Sequence, residues 1–149
     1  MIIRPLKIHE LPLALEGGES FFQEGKLPGK FNGPYFLSCW TDYLKSGTGE
    51  FIGLLSDDER SLRGALGAIF YRDPFTSDLV AVEQFWYVMP DDRGDGIRLF
   101  DVFIASARER GCRRVMMIHL KGLYPDALRR LYERRGFKEI ETSFVRQLQ

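Results

Sequence analysis

Val88-Met89-Pro90-Asp91-Asp92-Arg93-Gly94-Asp95-Gly96-Ile97-Arg98-Leu99 joins a nearly unbroken apolar run to an amphipathic one. Upstream, Leu79 to Met89 lacks apolar–polar alternation and reads as a central strand covered on both faces. Downstream, Ile97, Phe100, Ile104 and Ala107 recur at helical spacing, flanked by Leu99 and Phe103, and Gly111 supplies the stop. A strand that enters a helix through glycines carries chemistry. Glycine lets backbone N–H groups approach a ligand without a Cβ in the way. The helix start adds unpaired donors and a partial positive charge. Together they suit an anion such as a pyrophosphate. A tight strand-to-helix turn with no ligand fits the same local pattern. A dinucleotide fingerprint does not, because Leu occupies position 99 where the third glycine would stand.

Outward from this turn, Val115 to Leu120 reads as the next strand. It lies parallel to the central one, because the connection is a helical crossover, expected to be right-handed. Pro125 to Arg135 reads as a helix with Leu128, Leu131 and Tyr132 on one face and Gly136 as its stop. Phe137 to Leu148 reads as a terminal strand pair or one long bent strand. On the other side, Glu50 to Leu55 and Leu62 to Tyr71 are strands joined by short turns, so they are antiparallel to each other and to the central strand. Tyr35 to Lys45 is a helix ended by Gly47-Thr48-Gly49, and Glu24 to Pro34 is an exposed loop. His9 to Phe22 is a weak helix interrupted by Gly17-Gly18, and Ile2 to Leu6 is a first strand. The expected architecture is one α/β domain over residues 1–149. Its sheet is mixed, with an antiparallel N-terminal part and one parallel pair, and helices lie on both faces.

The chain has 149 residues with 21 Lys+Arg against 21 Asp+Glu, a formal charge of zero. That balance gives no support to a nucleic-acid coat or a polybasic membrane binder, so an anionic ligand needs a local site. No apolar run approaches a membrane span, and the N-terminus lacks a secretory pattern. Cys39 and Cys112 form no disulfide framework, and His9 and His119 no metal set, so the expectation is a cytoplasmic protein without a metal. Walker, nucleophile-elbow and zinc-protease signatures are missing.

The stretch from Tyr87 to Val115 resembles the acetyl-CoA-binding segment of the GNAT acyltransferase superfamily. The motif Arg/Gln-x-x-Gly-x-Gly/Ala is met at Arg93 and Gly96, while Arg98 stands where the family has Gly or Ala. Val88-x-Pro90 before it and Ala107-x-Glu109-x-Gly111 after it are also similar. Leu131-Tyr132-Glu133-Arg134-Arg135-Gly136-Phe137 resembles the family's Leu-Tyr-Glu-Lys-x-Gly-Phe. The family's Asn ahead of the last helix falls near Pro125.

The resemblance implies a GNAT-like fold and an N-acetyltransferase that uses acetyl-CoA as co-substrate. The acceptor would be a primary amine, of a small molecule or a peptide, attacking directly in a ternary complex. A CoA-binding module without catalysis is the alternative. The cofactor would lie against Tyr87, Val88 and Met89, whose backbone polarises the thioester carbonyl, and over Arg93, Gly94, Asp95, Gly96, Ile97 and Arg98. Arg98 would either add a cation beside the phosphates or crowd the loop, and Arg129 or Arg130 would meet the 3′-phosphate. C-terminal strands in this family pair across dimers, so a homodimer is an expectation too.

Transfer to an amine needs a base, an oxyanion donor and a proton for the leaving thiolate. Glu83, a carboxylate in an apolar strand, is the candidate base, because desolvation raises its pKa. Its alternative reading is a buried, paired glutamate. Tyr132 is the candidate acid by the family motif, and its spacing fits a core aromatic equally well. His119 is a lesser candidate, as a second base or a substrate contact.

Overall fold

The computed structural model describes residues 1–149. Five strands form one sheet in sequence order: β1 (Ile2–Pro5), β2 (Gly49–Leu55), β3 (Leu62–Arg72), β4 (Leu79–Val88) and β5 (Arg114–Met116). The first four are antiparallel neighbours, and β5 runs parallel to β4. Three α-helices cover the sheet, α1 (Leu15–Glu24), α2 (Gly33–Ser46) and α3 (Gly96–Glu109), and α4 (Pro125–Arg134) follows beyond β5.

Each face of the sheet has its own core. On one, Leu99, Phe103 and Ala107 of α3 pack on Ile52, Leu54, Leu66, Ala68, Ala81 and Val88. On the other, Trp40 of α2 and the residues ahead of α1 pack on Phe51, Leu55, Ala65 and Phe85. Aromatic rings dominate this second core, with Trp40, Phe51 and Phe85 mutually 5.1–5.6 Å apart at their centroids. Trp40 and Phe36 thus serve packing, as their helical spacing implies. The helix stops also fall where glycines supply a left-handed residue, at Gly47, Gly111 and Gly136. Asn32 caps α2, its Oδ1 accepting from the Tyr35 N–H at 3.0 Å.

Three expectations need correction. The helix expected over His9 to Phe22 is two pieces, a 3-10 segment Ile8–Ala14 containing Pro12 and then α1. Gly17 and Gly18 lie inside α1 rather than breaking it. A Cβ on Gly18 would meet the Phe31 and Phe36 rings at 3.1 and 3.3 Å, so the small residue serves close packing. The strand expected over Val115 to Leu120 ends at Met116. The C-terminal strand is absent: residues 137–149 hold no helix or strand. Ile140, Phe144, Val145 and Leu148 there are 75–94% exposed, and strand propensity without a packed face or a paired edge does not fix a strand.

Candidate active site

The parallel ladder between β4 and β5 is short, pairing Val80, Ala81 and Val82 with Arg114, Val115 and Met116. Beyond it the β3–β4 register shifts. Gly67 faces Phe85 and Ala68 faces Glu83, so Gln84 is an extra residue with no partner on β3. A bulge bends its strand and increases the local twist, which here opens β4 away from β5.

Glu83 and Tyr132 meet at that opening through the main chain of Ile118. The Ile118 N–H donates to Glu83 Oε2 at 2.9 Å. The Tyr132 hydroxyl, carried on α4, donates to the Ile118 carbonyl at 2.9 Å. The Glu83 carboxylate thus replaces the acceptor that the sheet ladder no longer offers. Burial pushes the Glu83 carboxyl up to about 8, and the Ile118 N–H only partly offsets it. Burial also raises the Tyr132 phenol, with the neighbouring Glu83 charge adding to it.

A cleft of about 490 Å³ runs from this point to the Gly94–Gly96 turn. Of the residues singled out from the sequence, Glu83, Tyr87, Val88, Arg93, Gly94, Gly96, Ile97 and Tyr132 line it. Met89, Asp95 and Arg98 do not. The Met89 N–H is committed to the Arg63 carbonyl at 2.8 Å. Arg98 pairs with Asp95 at 3.0 Å on the open face of α3, so it neither crowds the turn nor enters the cleft. Arg129 is paired with Glu139. His119 lies off the cleft, and its Nδ1 is buried without a partner.

The turn itself is a 3-10 segment, Pro90–Asp95, running into α3. No side chain caps the start of α3. A Cβ on Gly94 would meet nothing within 4 Å, and one on Gly96 would touch Val88 and Trp86 at ordinary distances of 3.4–3.7 Å. Neither glycine has a positive φ; Gly94 is exposed and leaves bare backbone, whereas Gly96 is buried beside Val88 and Trp86.

Arg93 crosses the cleft rim. Its Nη2 donates to Glu24 Oε2 at 2.8 Å, its Nε to the Val88 carbonyl at 3.2 Å and its Nη1 to the Tyr124 hydroxyl. The second oxygen of Glu24 accepts from the Tyr87 hydroxyl at 2.9 Å. Glu24, Tyr124 and Ile118 were not identified from the sequence. Glu24 only opened an anonymous loop there, and its partner Arg93 lies 69 residues away.

The sequence profile of the Acetyltransferase (GNAT) family matches residues 19–137, and the chain belongs to that family. It is therefore an acyltransferase of the N-acetyltransferase class. Solved structures share its fold along nearly the whole chain. A predicted acetyltransferase with acetyl-CoA from Clostridium acetobutylicum superposes with a TM-score of 0.80 at 14% identity, covering 99% of this chain and 96% of that one. A ribosomal-protein-alanine N-acetyltransferase from Brucella melitensis gives 0.73 at 21% identity, with 99% and 100% covered. A glucosamine-6-phosphate N-acetyltransferase from Arabidopsis thaliana gives 0.74 at 11% identity, with 99% and 98% covered. At these identities the likeness is one of fold. No curated protein sequence matches the chain.

Proposed function

We propose that the chain transfers the acetyl group of acetyl-CoA to a primary amine by direct attack within a ternary complex. The observation that carries this reading is the pairing of a buried carboxyl, Glu83, with a buried phenol, Tyr132, across Ile118 at the opening of the sheet. The residues present fit the cofactor. The exposed Gly94 backbone ahead of α3 suits its phosphates, and Ile97, Leu128 and Leu131 offer an apolar wall to its arm. Bound acetyl-CoA supplies an activated thioester carbonyl.

The chain's own residues then divide the work. Glu83, with a pKa near 8, takes the proton of an incoming ammonium close to neutral pH. The neutral nitrogen forms the C–N bond as the C–S bond breaks, and its surplus proton passes to the departing sulfur, leaving an amide and a free thiol. Tyr132 stays protonated, because burial raises its pKa, and its single O–H, given to the Ile118 carbonyl in this structure, turns to the leaving sulfur. A phenol shifted in that direction serves better as a hydrogen-bond donor than as a full proton source. The Val88 segment of β4 supports the carbonyl. Met89 is less suited to that role, because its amide already bonds β3.

Thiol release from acetyl-CoA with a panel of primary amines tests the reaction. Calorimetry with CoA tests the cradle. Gly94→Val, at a position where a Cβ meets nothing within 4 Å, fills the bare surface and is expected to abolish a micromolar interaction of roughly −8 kcal/mol. Wild-type affinity in the folded variant removes the turn from the site.

A further inference from the structure

The cleft wall carries three charged residues, Glu83, Arg93 and Arg135. Arg135, at the rim, pairs with Asp101 at 2.8 Å and lies over the Phe100 ring at 5.4 Å. Arg93 is bound by groups that have the chemistry of a cation site. The Glu24 carboxylate faces it, and its guanidinium carbon lies 5.7 Å from the Tyr87 ring centroid and 5.1 Å from that of Tyr124. A carboxylate with two aromatic faces attracts a flat cation by charge and by the ring quadrupoles together. Tyr124 takes a left-handed backbone, φ 49°, to present its ring there.

We propose that Glu24, Tyr87 and Tyr124 form an acceptor subsite for a guanidinium or ammonium group remote from the reacting amine, a subsite that the Arg93 side chain fills in this structure and yields when it turns to the cofactor's phosphates. This rests on the acetyl-transfer reading above and deepens it to a substrate class: amines that carry a second cation. Without Arg93 the subsite keeps the Glu24 carboxylate and has no cation of its own. An anionic acceptor is thereby disfavoured by like charge. Glu83 and Tyr87 stand four residues apart on β4, roughly 13 Å at strand spacing. Both residues line the same cleft, so an acceptor with an alkyl spacer would join the base to the subsite.

The test compares three amines of similar length: agmatine, which ends in a guanidinium, hexylamine, which ends in a methyl, and 6-aminohexanoate, which ends in a carboxylate. Thiol release from acetyl-CoA gives kcat/KM for each, and calorimetry with CoA present gives Kd. Agmatine is expected to exceed hexylamine by at least about tenfold in both, the scale of one charge-assisted hydrogen bond, with 6-aminohexanoate last. Glu24→Gln removes the charge at constant size, and Tyr124→Leu removes a ring that is 60% exposed. Each is expected to bring the agmatine-to-hexylamine ratio toward one. An equal ratio in the unaltered protein, a preference for 6-aminohexanoate, or a preference that survives both substitutions overturns the subsite. If no amine releases thiol, the transferase reading fails, and the calorimetric ranking still decides the subsite.

Discussion

Glu83 is a carboxyl group that is only 3% exposed and has one donor, the Ile118 N–H, facing it. Its folded pKa of about 8 lies above the ordinary carboxylate value, so the native state holds a proton that the unfolded chain gives up. Its contribution to stability is complete below roughly pH 4 and is lost as pH rises through about 8, at about 1.4 kcal/mol per pH unit within that window. Glu83→Gln keeps an acceptor for Ile118 and cannot ionise. Urea melts are expected to show it gaining stability over the parent between pH 5 and pH 9. In activity the same substitution is expected to flatten the rise of kcat/KM toward pH 8 and to lower it by ~10²-fold or more at that pH. Tyr132→Phe removes a hydroxyl that bonds the Ile118 carbonyl. Two readouts should move: kcat falls ~10²-fold with CoA affinity unchanged, and stability falls by about 1 kcal/mol as that carbonyl loses its donor. Unchanged turnover with the stability loss alone makes the phenol a scaffold group. Both residues stood out in the sequence because each broke a local pattern or met a motif. Their shared partner did not, since a backbone N–H and C=O carry no side-chain signature.

At the scale of elements, β4 is the part on which the site depends. Its apolar run was readable as a central strand, and the turn after it as the entry to α3. The bulge at Gln84 was not readable, because it is imposed by what packs across the strand. Opposite it, Gly67 on β3 lets Trp40 and Phe85 close over bare backbone. A Cβ there would sit 2.4 Å from Phe85 and 2.7 Å from Trp40. Gly67→Ala therefore overpacks the aromatic core, at a cost of about 1–3 kcal/mol. Differential scanning calorimetry is expected to show Tm lower by about 2–4 °C for each kcal/mol. Because the bulge lies against the same rings, thiol release should fall as well. A neutral result means that Trp40 has room to shift and that the bulge does not depend on this contact. The interruption inferred from Gly17-Gly18 failed for a related reason. Glycine in a helix reads as a break from propensity alone, whereas here Phe31 and Phe36 use the space it leaves.

Across the whole molecule, stability resides in two cores joined by one sheet, and both lie before residue 133. The order of strands and helices was legible as far as α4, because each boundary carries a glycine, a proline or a change of hydrophobic period. The C-terminal strand was not, because a strand is a property of a pair. With β5 only three residues long, little edge remains to hold one. Ile140, Phe144, Val145 and Leu148 bury too little surface to stabilise the chain. Ending the chain after Glu139 preserves the exposed Arg129–Glu139 pair, which contributes at most about 1 kcal/mol in any case. The shortened protein is expected to unfold within about 1 kcal/mol of the full chain in urea, with the same slope, because the slope follows the surface exposed on unfolding. Solubility should rise, since four exposed apolar side chains leave with the segment. A large loss of stability that depends on protein concentration means that the segment is ordered against a second copy, and the terminal strand would then belong to an assembly rather than to the single chain.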